Sequence, residues 1–166
     1  FGNVIGSRGS VFQIFQKQID KKQPLTVTDE RMTRFIMSIS EAASMILKVT
    51  KIAKDGEIFI LKMPSIRIVD LAKGMLHVFK TRFPKSGTLD KMKILKSRER
   101  ERFHEFLITT EEIPYCHDVG DMYKISKTLN KKQLKLNEFS SETAKKIKQE
   151  KLHDTINELI DEYITY

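Results

Sequence analysis

A mixed α/β fold is predicted, and three observations predict it. Ser38-Ile39-Ser40-Glu41 has the spacing of a capping box directly ahead of Ala42, Met45, Ile46, Val49 and Ile52, which fall on one face of a helix. Runs of strand length, one alternating at residues 25–28 and one apolar at residues 57–63, lie on either side of that helix. A further long helical pattern follows each strand-like run, so the two periods alternate along the chain without a repeat or a low-complexity segment.

Taken in order, the opening Phe1-Gly2-Asn3-Val4-Ile5-Gly6 reads as a strand entered midway, with neither the basic leader nor the small-residue cleavage site of a signal peptide. A Gly6-Ser7-Arg8-Gly9-Ser10 loop leads into a helix over residues 11–19, where Val11, Phe12, Ile14, Phe15 and Ile19 recur at helical spacing. Residues 20–24 form a polar connector, and residues 25–28 a strand. After the capped helix, Asp55-Gly56 turns the chain into the strand at residues 57–63, which Pro64 ends. Leu71, Ala72, Met75, Leu76 and Phe79 predict a helix over residues 69–83, with Asp70 placed to suit its dipole. Residues 92–95 read as a strand, residues 97–102 as a run of alternating charge, and Phe103, Phe106 and Leu107 as a short helix. A last short strand is expected at residues 122–125, a polar stretch at 127–135 and a terminal helix over residues 141–163.

A chain of 166 residues is long enough to bury a core as one compact domain. No apolar run approaches the roughly 18 residues that a bilayer span needs, so membrane insertion is not expected. A single cysteine, Cys116, excludes an internal disulfide framework and fits a reducing, cytoplasmic setting; with four scattered histidines it also excludes a zinc cluster. The formal charge of +8 favours phosphate-bearing partners. Nucleic-acid binding would call for basic residues interleaved with aromatics, whereas Lys145, Lys146, Lys148 and Lys151 read as the solvated face of a helix.

The most chemically suggestive feature is the loop at residues 6–10, because backbone N–H groups at the start of a helix attract phosphate and Arg8 can add a clamp. An ordinary capped turn has the same composition. Arg34 stands between the strand at residues 25–28 and the capped helix, where it can turn inward or lie on the surface. Tyr123 and Lys127 have the spacing of a short-chain dehydrogenase acid/base pair, but the surrounding pattern is extended, so they are not read as one. His104, Cys116 and His117 have no partner at triad or metal spacing and are expected in core or surface roles.

Taken together, residues 1–11, then Pro24-Leu25-Thr26-Val27-Thr28-Asp29, then Met32-Thr33-Arg34-Phe35 resemble the inverting UDP-N-acetylglucosamine 4,6-dehydratases. Gly56-Glu57-Ile58-Phe59-Ile60, Asp70-Leu71-Ala72-Lys73 and Leu107-Ile108-Thr109 with Glu111-Glu112 are similar to later segments of the same family. Residues 118–123 and 139–142 resemble its capsular-polysaccharide, CapE-like branch. The resemblance implies the C-terminal, substrate-binding portion of an extended short-chain dehydrogenase/reductase, lacking most of the Rossmann domain. It implies a UDP-sugar-binding portion at residues 1–130 and a C-terminal extension with a terminal helix at residues 131–166. By position it would put Asn3 near the sugar and diphosphate, Ser7 and Arg8 around the nucleotide, Thr26 beside the uracil and Arg34 facing the diphosphate. Arg98 and Glu101 would contact phosphate and ribose; the family has Arg-x-Gly-Glu there, and this chain has Arg100 in place of the glycine.

The parent enzyme so implied is an NADP-dependent dehydratase/epimerase of surface polysaccharide synthesis. It would oxidise the sugar at C4, eliminate water across C5 and C6, and return hydride to C6 with inversion at C5. Cofactor site and catalytic base would lie upstream, so the chain alone is expected to be inactive, without metal, and part of a homo-oligomer. The alternative is a non-enzymatic sugar-nucleotide- or phosphate-binding module derived from that family.

Overall fold

A computed structural model describes residues 2–7, 9–85, 91–96, 101–130 and 134–164, with the side chains of the last helix described to Asp161. The alternation of helix and strand is borne out. In order, the elements are β1 (Asn3–Val4), α1 (Val11–Asp20), β2 (Leu25–Val27), β3 (Thr33–Met37), α2 (Ile39–Ile52), β4 (Ile58–Leu61), β5 (Ser65–Arg67) and α3 (Ile68–Arg82). They continue with β6 (Met92–Ile94), β7 (Phe106–Ile108), a single 3-10 turn at Ile113–Tyr115, β8 (Cys116–Asp118), β9 (Met122–Ile125), β10 (Phe139–Ser140) and α4 (Gln149–Ile164).

Four small sheets organise these strands. β3 pairs with β1 in parallel and with β5 antiparallel, β2 pairs with β6 in parallel, β4, β9 and β8 form an antiparallel ribbon, and β7 pairs antiparallel with β10. The larger core gathers Phe12, Phe15 and Ile19 of α1, the inner face of α3, and Leu152, Ile156, Leu159 and Ile160 of α4. Their spacing of three, four and seven residues is what puts each set on one helix face. A second core lies between the sheets, around Phe35, Met37, Ile60, Ile108, Cys116 and Phe139.

The capping box of α2 forms as its sequence predicts. Glu41 N–H donates to Ser38 Oγ at 3.1 Å, and Ser38 N–H donates to Glu41 Oε2 at 2.8 Å. In the turn ahead of α1, Gly6 adopts φ +80°, a conformation that favours glycine, and a Cβ there would also press on Leu159 Cδ2 of α4 at 2.7 Å.

Three expectations are corrected. The short helix expected around residues 103–107 is instead strand β7: the three apolar positions mimic a helical face, but Ile108 is the fully buried residue and the segment pairs with β10 some thirty residues on. Arg34 does not sit in a connector; it lies within β3. The terminal helix begins at Gln149, eight residues later than expected. Residues 141–148 are drawn into a turn by Lys146, whose Nζ donates to Ser65 Oγ and to the carbonyls of Ser141 and Glu142 at 2.8–2.9 Å. Lys146 is therefore not part of a solvated helix face, and burial lowers its pKa.

Candidate functional site

The strand, turn and helix at the start of the chain meet β2, β3 and the segment at residues 101–105 around one cleft of about 450 Å³. Its floor is apolar, with Phe12, Phe15, Val27, Ile36 and Leu71 among the lining residues. Its rim is polar and holds Asn3, Thr26, Arg34 and Glu101, four of the seven site residues expected from the sequence. Ser7 is exposed on the neighbouring turn and does not line the cleft; Arg8 and Arg98, like Arg100, lie outside the described residues. An apolar floor with a few convergent polar groups is the usual make-up of a small-molecule site.

The rim is built by side chains that hold backbone. Arg34 Nη1 donates to the carbonyls of Thr33 at 2.8 Å and Phe103 at 3.1 Å, and Nη2 donates to that of Arg102 at 2.9 Å, so the guanidinium straps residues 102–103 against β3. Glu105 completes the strap. Its Oε2 accepts Phe35 N–H at 2.9 Å and its Oε1 accepts Asn3 Nδ2 at 2.8 Å, the carboxylate standing where a neighbouring strand's carbonyls would stand. Beneath them the buried Thr33 hydroxyl lies 2.8 Å from His104 Nδ1 and 2.7 Å from Ser141 Oγ. Glu101 accepts a hydrogen bond from Thr28 Oγ1 at 3.0 Å.

The opposite wall is largely closed on itself. Thr26, expected beside a uracil, has its N–H and its hydroxyl both bonded to the Gln18 side chain, at 3.1 and 2.7 Å. Gly9 N–H is bonded to Gln13 Oε1, and Gln13 Nε2 donates back to the Gly6 carbonyl. Two oxygens on this side are exceptions: Ser10 Oγ, at the cleft-lining residue that precedes α1, and Gln16 Oε1 within α1 are both buried without a hydrogen-bond partner among the described residues. A buried hydroxyl left unpaired at a helix N-terminus is unusual in a folded protein and calls for a partner.

The fold also places the groups expected in core or surface roles. Tyr123 lies on strand β9, so it shares no helix face with Lys127. Cys116 is fully buried, and burial, with the charges of Asp118 and Glu112 adding to it, pushes its thiol up to about 11, far from a reactive thiolate. His117 contacts Ser126 Oγ and the Thr128 carbonyl, and His104 braces Thr33.

A family of polysaccharide biosynthesis proteins matches residues 1–127. The chain belongs to that family. It is 38% identical over 164 residues to an uncharacterized membrane protein of Methanocaldococcus jannaschii, covering 96% of this chain and 48% of that protein. It is 34% identical over 125 residues to the UDP-glucose 4-epimerase of Rickettsia canadensis, covering 75% of this chain and 35% of the epimerase. Among solved structures it is similar to Pen from Bacillus thuringiensis, with a TM-score of 0.83 and 35% identity over 96% of this chain and 48% of Pen. The chain thus spans about half or less of these relatives. The expected fold, the mixed α/β C-terminal portion of an extended short-chain dehydrogenase/reductase, is borne out. Among the described residues no helix is long and apolar enough to cross a membrane.

Thr28 lines the cleft, and Glu105, Gln13 and Gln18 bond the residues of its walls; the sequence reading missed all four. Gln13 and Gln18 fall on the polar side of an evident helix, where glutamine is unremarkable. Glu105 bonds residues 70 and 102 positions away, and no local pattern encodes such a partner.

Proposed function

We propose that this chain is the substrate-holding portion of a nucleotide-sugar dehydratase or epimerase of surface polysaccharide synthesis, and that its cleft takes a UDP-sugar of the UDP-N-acetylglucosamine type. The observation that carries the reading is the meeting of Asn3, Arg34 and Glu101 on one polar rim, next to an unpaired Ser10 hydroxyl at the start of α1. A helix N-terminus with an orphaned hydroxyl offers donors to a diphosphate. Glu101 offers an acceptor to sugar hydroxyls, and the apolar floor excludes water from beneath them. The resemblance adds Ser7, Arg8 and Arg98 to the phosphate contacts and Thr26 to the base. The epimerase name of the Rickettsia relative supports a sugar-nucleotide substrate.

NADP, which the resemblance implies, does not fit the residues present. Among the described residues, the glycine-containing turn ahead of α1, at Gly6 and Gly9, is filled by the Gln13 side chain. The cofactor is therefore assigned to a part of the parent that this chain does not span, together with the catalytic base, and the chain alone is expected to be inactive. Its own contribution is binding and orientation of substrate.

Calorimetry of the 166-residue chain with UDP, UDP-N-acetylglucosamine and a single-stranded oligonucleotide tests the reading. One-to-one binding of UDP and of the UDP-sugar, each tighter than the oligonucleotide, is expected. Tighter binding of the oligonucleotide than of either would overturn it.

A further inference from the structure

We propose that Arg31 is a stacking platform for the base of a nucleoside diphosphate; the assignment rests on the cleft being a sugar-nucleotide site. Beside that cleft lies a second, open groove of about 570 Å³, and Thr28 and Leu95 line both. Arg31 and the exposed apolar pair Ile94 and Leu95 are among the residues that line the groove.

Arg31 is held in an unusual way for so exposed a side chain. Asp29 accepts Nε at 2.9 Å and Nη2 at 2.9 Å, gripping one edge of the guanidinium, and also accepts the Arg31 backbone N–H at 2.8 Å. The guanidinium carbon stands 4.6 Å from the centroid of the Phe103 ring. Yet 72% of the side chain is exposed. The edge that would grip a phosphate is thus occupied by a carboxylate, one face rests on an aromatic ring, and the other face carries no ring or ion-pair contact among the described residues. A guanidinium fixed in this manner stacks on flat π systems rather than clamping anions. A planar base placed on it would also cover Ile94 and Leu95, which otherwise expose apolar surface to water.

Thr26, the other candidate for the base, already engages the Gln18 side chain, its N–H donating to Oε1 and its hydroxyl oxygen accepting from Nε2. Glu101, the ribose candidate, is hydrogen-bonded to Thr28, which borders both the cleft and the groove. A nucleotide with its ribose at Glu101 and its diphosphate toward Ser10 therefore has its base at the groove.

Stacking is tolerant of base identity because every base has a π face. Calorimetry of the 166-residue chain with UDP, ADP and inorganic pyrophosphate tests the proposal. Both nucleotides are expected to bind more tightly than pyrophosphate, by about tenfold for a single stacked base. Arg31→Lys keeps the charge and loses the plane, and Asp29→Ala keeps the plane and frees it to rotate. Each is expected to remove most of the nucleotide advantage while leaving pyrophosphate affinity unchanged. A nucleotide-to-pyrophosphate ratio that Arg31→Lys leaves intact would overturn the proposal. So would an equal loss for pyrophosphate, which would make Arg31 an ordinary phosphate contact. A wild-type chain that binds neither nucleotide nor pyrophosphate would instead remove the sugar-nucleotide reading, and this assignment with it.

Discussion

The two walls of the cleft are made in different ways. On one side α1 is set by apolar burial: Phe12 and Phe15 are fully buried against a core shared with α3 and α4, and Gln13 and Gln18 bond Gly6, Gly9 and Thr26 of that wall. On the other side the strap at residues 101–105 has one apolar anchor, Phe103, packed against the same core. It is held by Arg34 on two of its carbonyls, by the Glu105 carboxylate on β1 and β3, and by Thr33 and Ser141 beneath. The first wall is fixed by non-directional packing and the second by directional bonds between residues far apart in sequence. Placing recognition groups such as Glu101 on the second wall makes their positions depend on geometry more than on bulk.

Substitutions that empty one wall and spare the other break this contrast. Phe15→Ala deletes a fully buried ring from the core beneath α1 and is expected to cost about 3–5 kcal/mol in denaturant unfolding. Glu105→Ala leaves Phe35 N–H and the Asn3 amide without their acceptor, a loss of about 1.5–3 kcal/mol. That loss should fall on β3 and the strap it carries, seen as faster amide exchange at residues 33–35 while α1 stays protected. If Glu105→Ala loosens both walls equally, the division is wrong. Gln18→Ala is expected to cost only about 0.5–1.5 kcal/mol, because its two bonds to Thr26 are partly solvent-exposed and water replaces them.

The same division separates what the sequence makes legible from what it hides. Helices α1, α2 and α3 announce themselves by period, and α2 by its capping box as well, because these signals lie within a few residues. Strands β2, β4, β6 and β9 are legible as short apolar or alternating runs. β3, β5, β7 and β10 are not, since no separate run of alternating or apolar residues marks them off and their pairing is set only in three dimensions. Arg34 illustrates the limit for the site. Sequence places it near the cleft, but only the fold shows its donors spent on the strap. Lys146 illustrates it for a boundary: a lysine in a helical pattern reads as solvated, and here it turns inward and delays α4.

Acid sharpens the contrast with the smallest effect. The Arg31 side-chain hydrogen bonds, with its backbone N–H adding to them, hold the Asp29 carboxyl down at about 2 against an ordinary 3.8. A carboxyl whose pKa is lower in the folded state stabilises that state above 3.8, and the contribution drains away as pH falls toward 2. Carbon-13 titration of the Asp29 carboxyl should therefore show a midpoint near 2 that rises toward 3.8 in Arg31→Ala. Because Arg31 rests on Phe103, which belongs to the strap, protonating Asp29 should perturb the Phe103 ring signals and leave those of Phe12 and Phe15 unmoved. A carboxyl midpoint that Arg31→Ala does not shift would mean that Arg31 is not gripped in solution. The directional wall would then lose its outermost brace, and the other guanidinium face would no longer be fixed beside the groove.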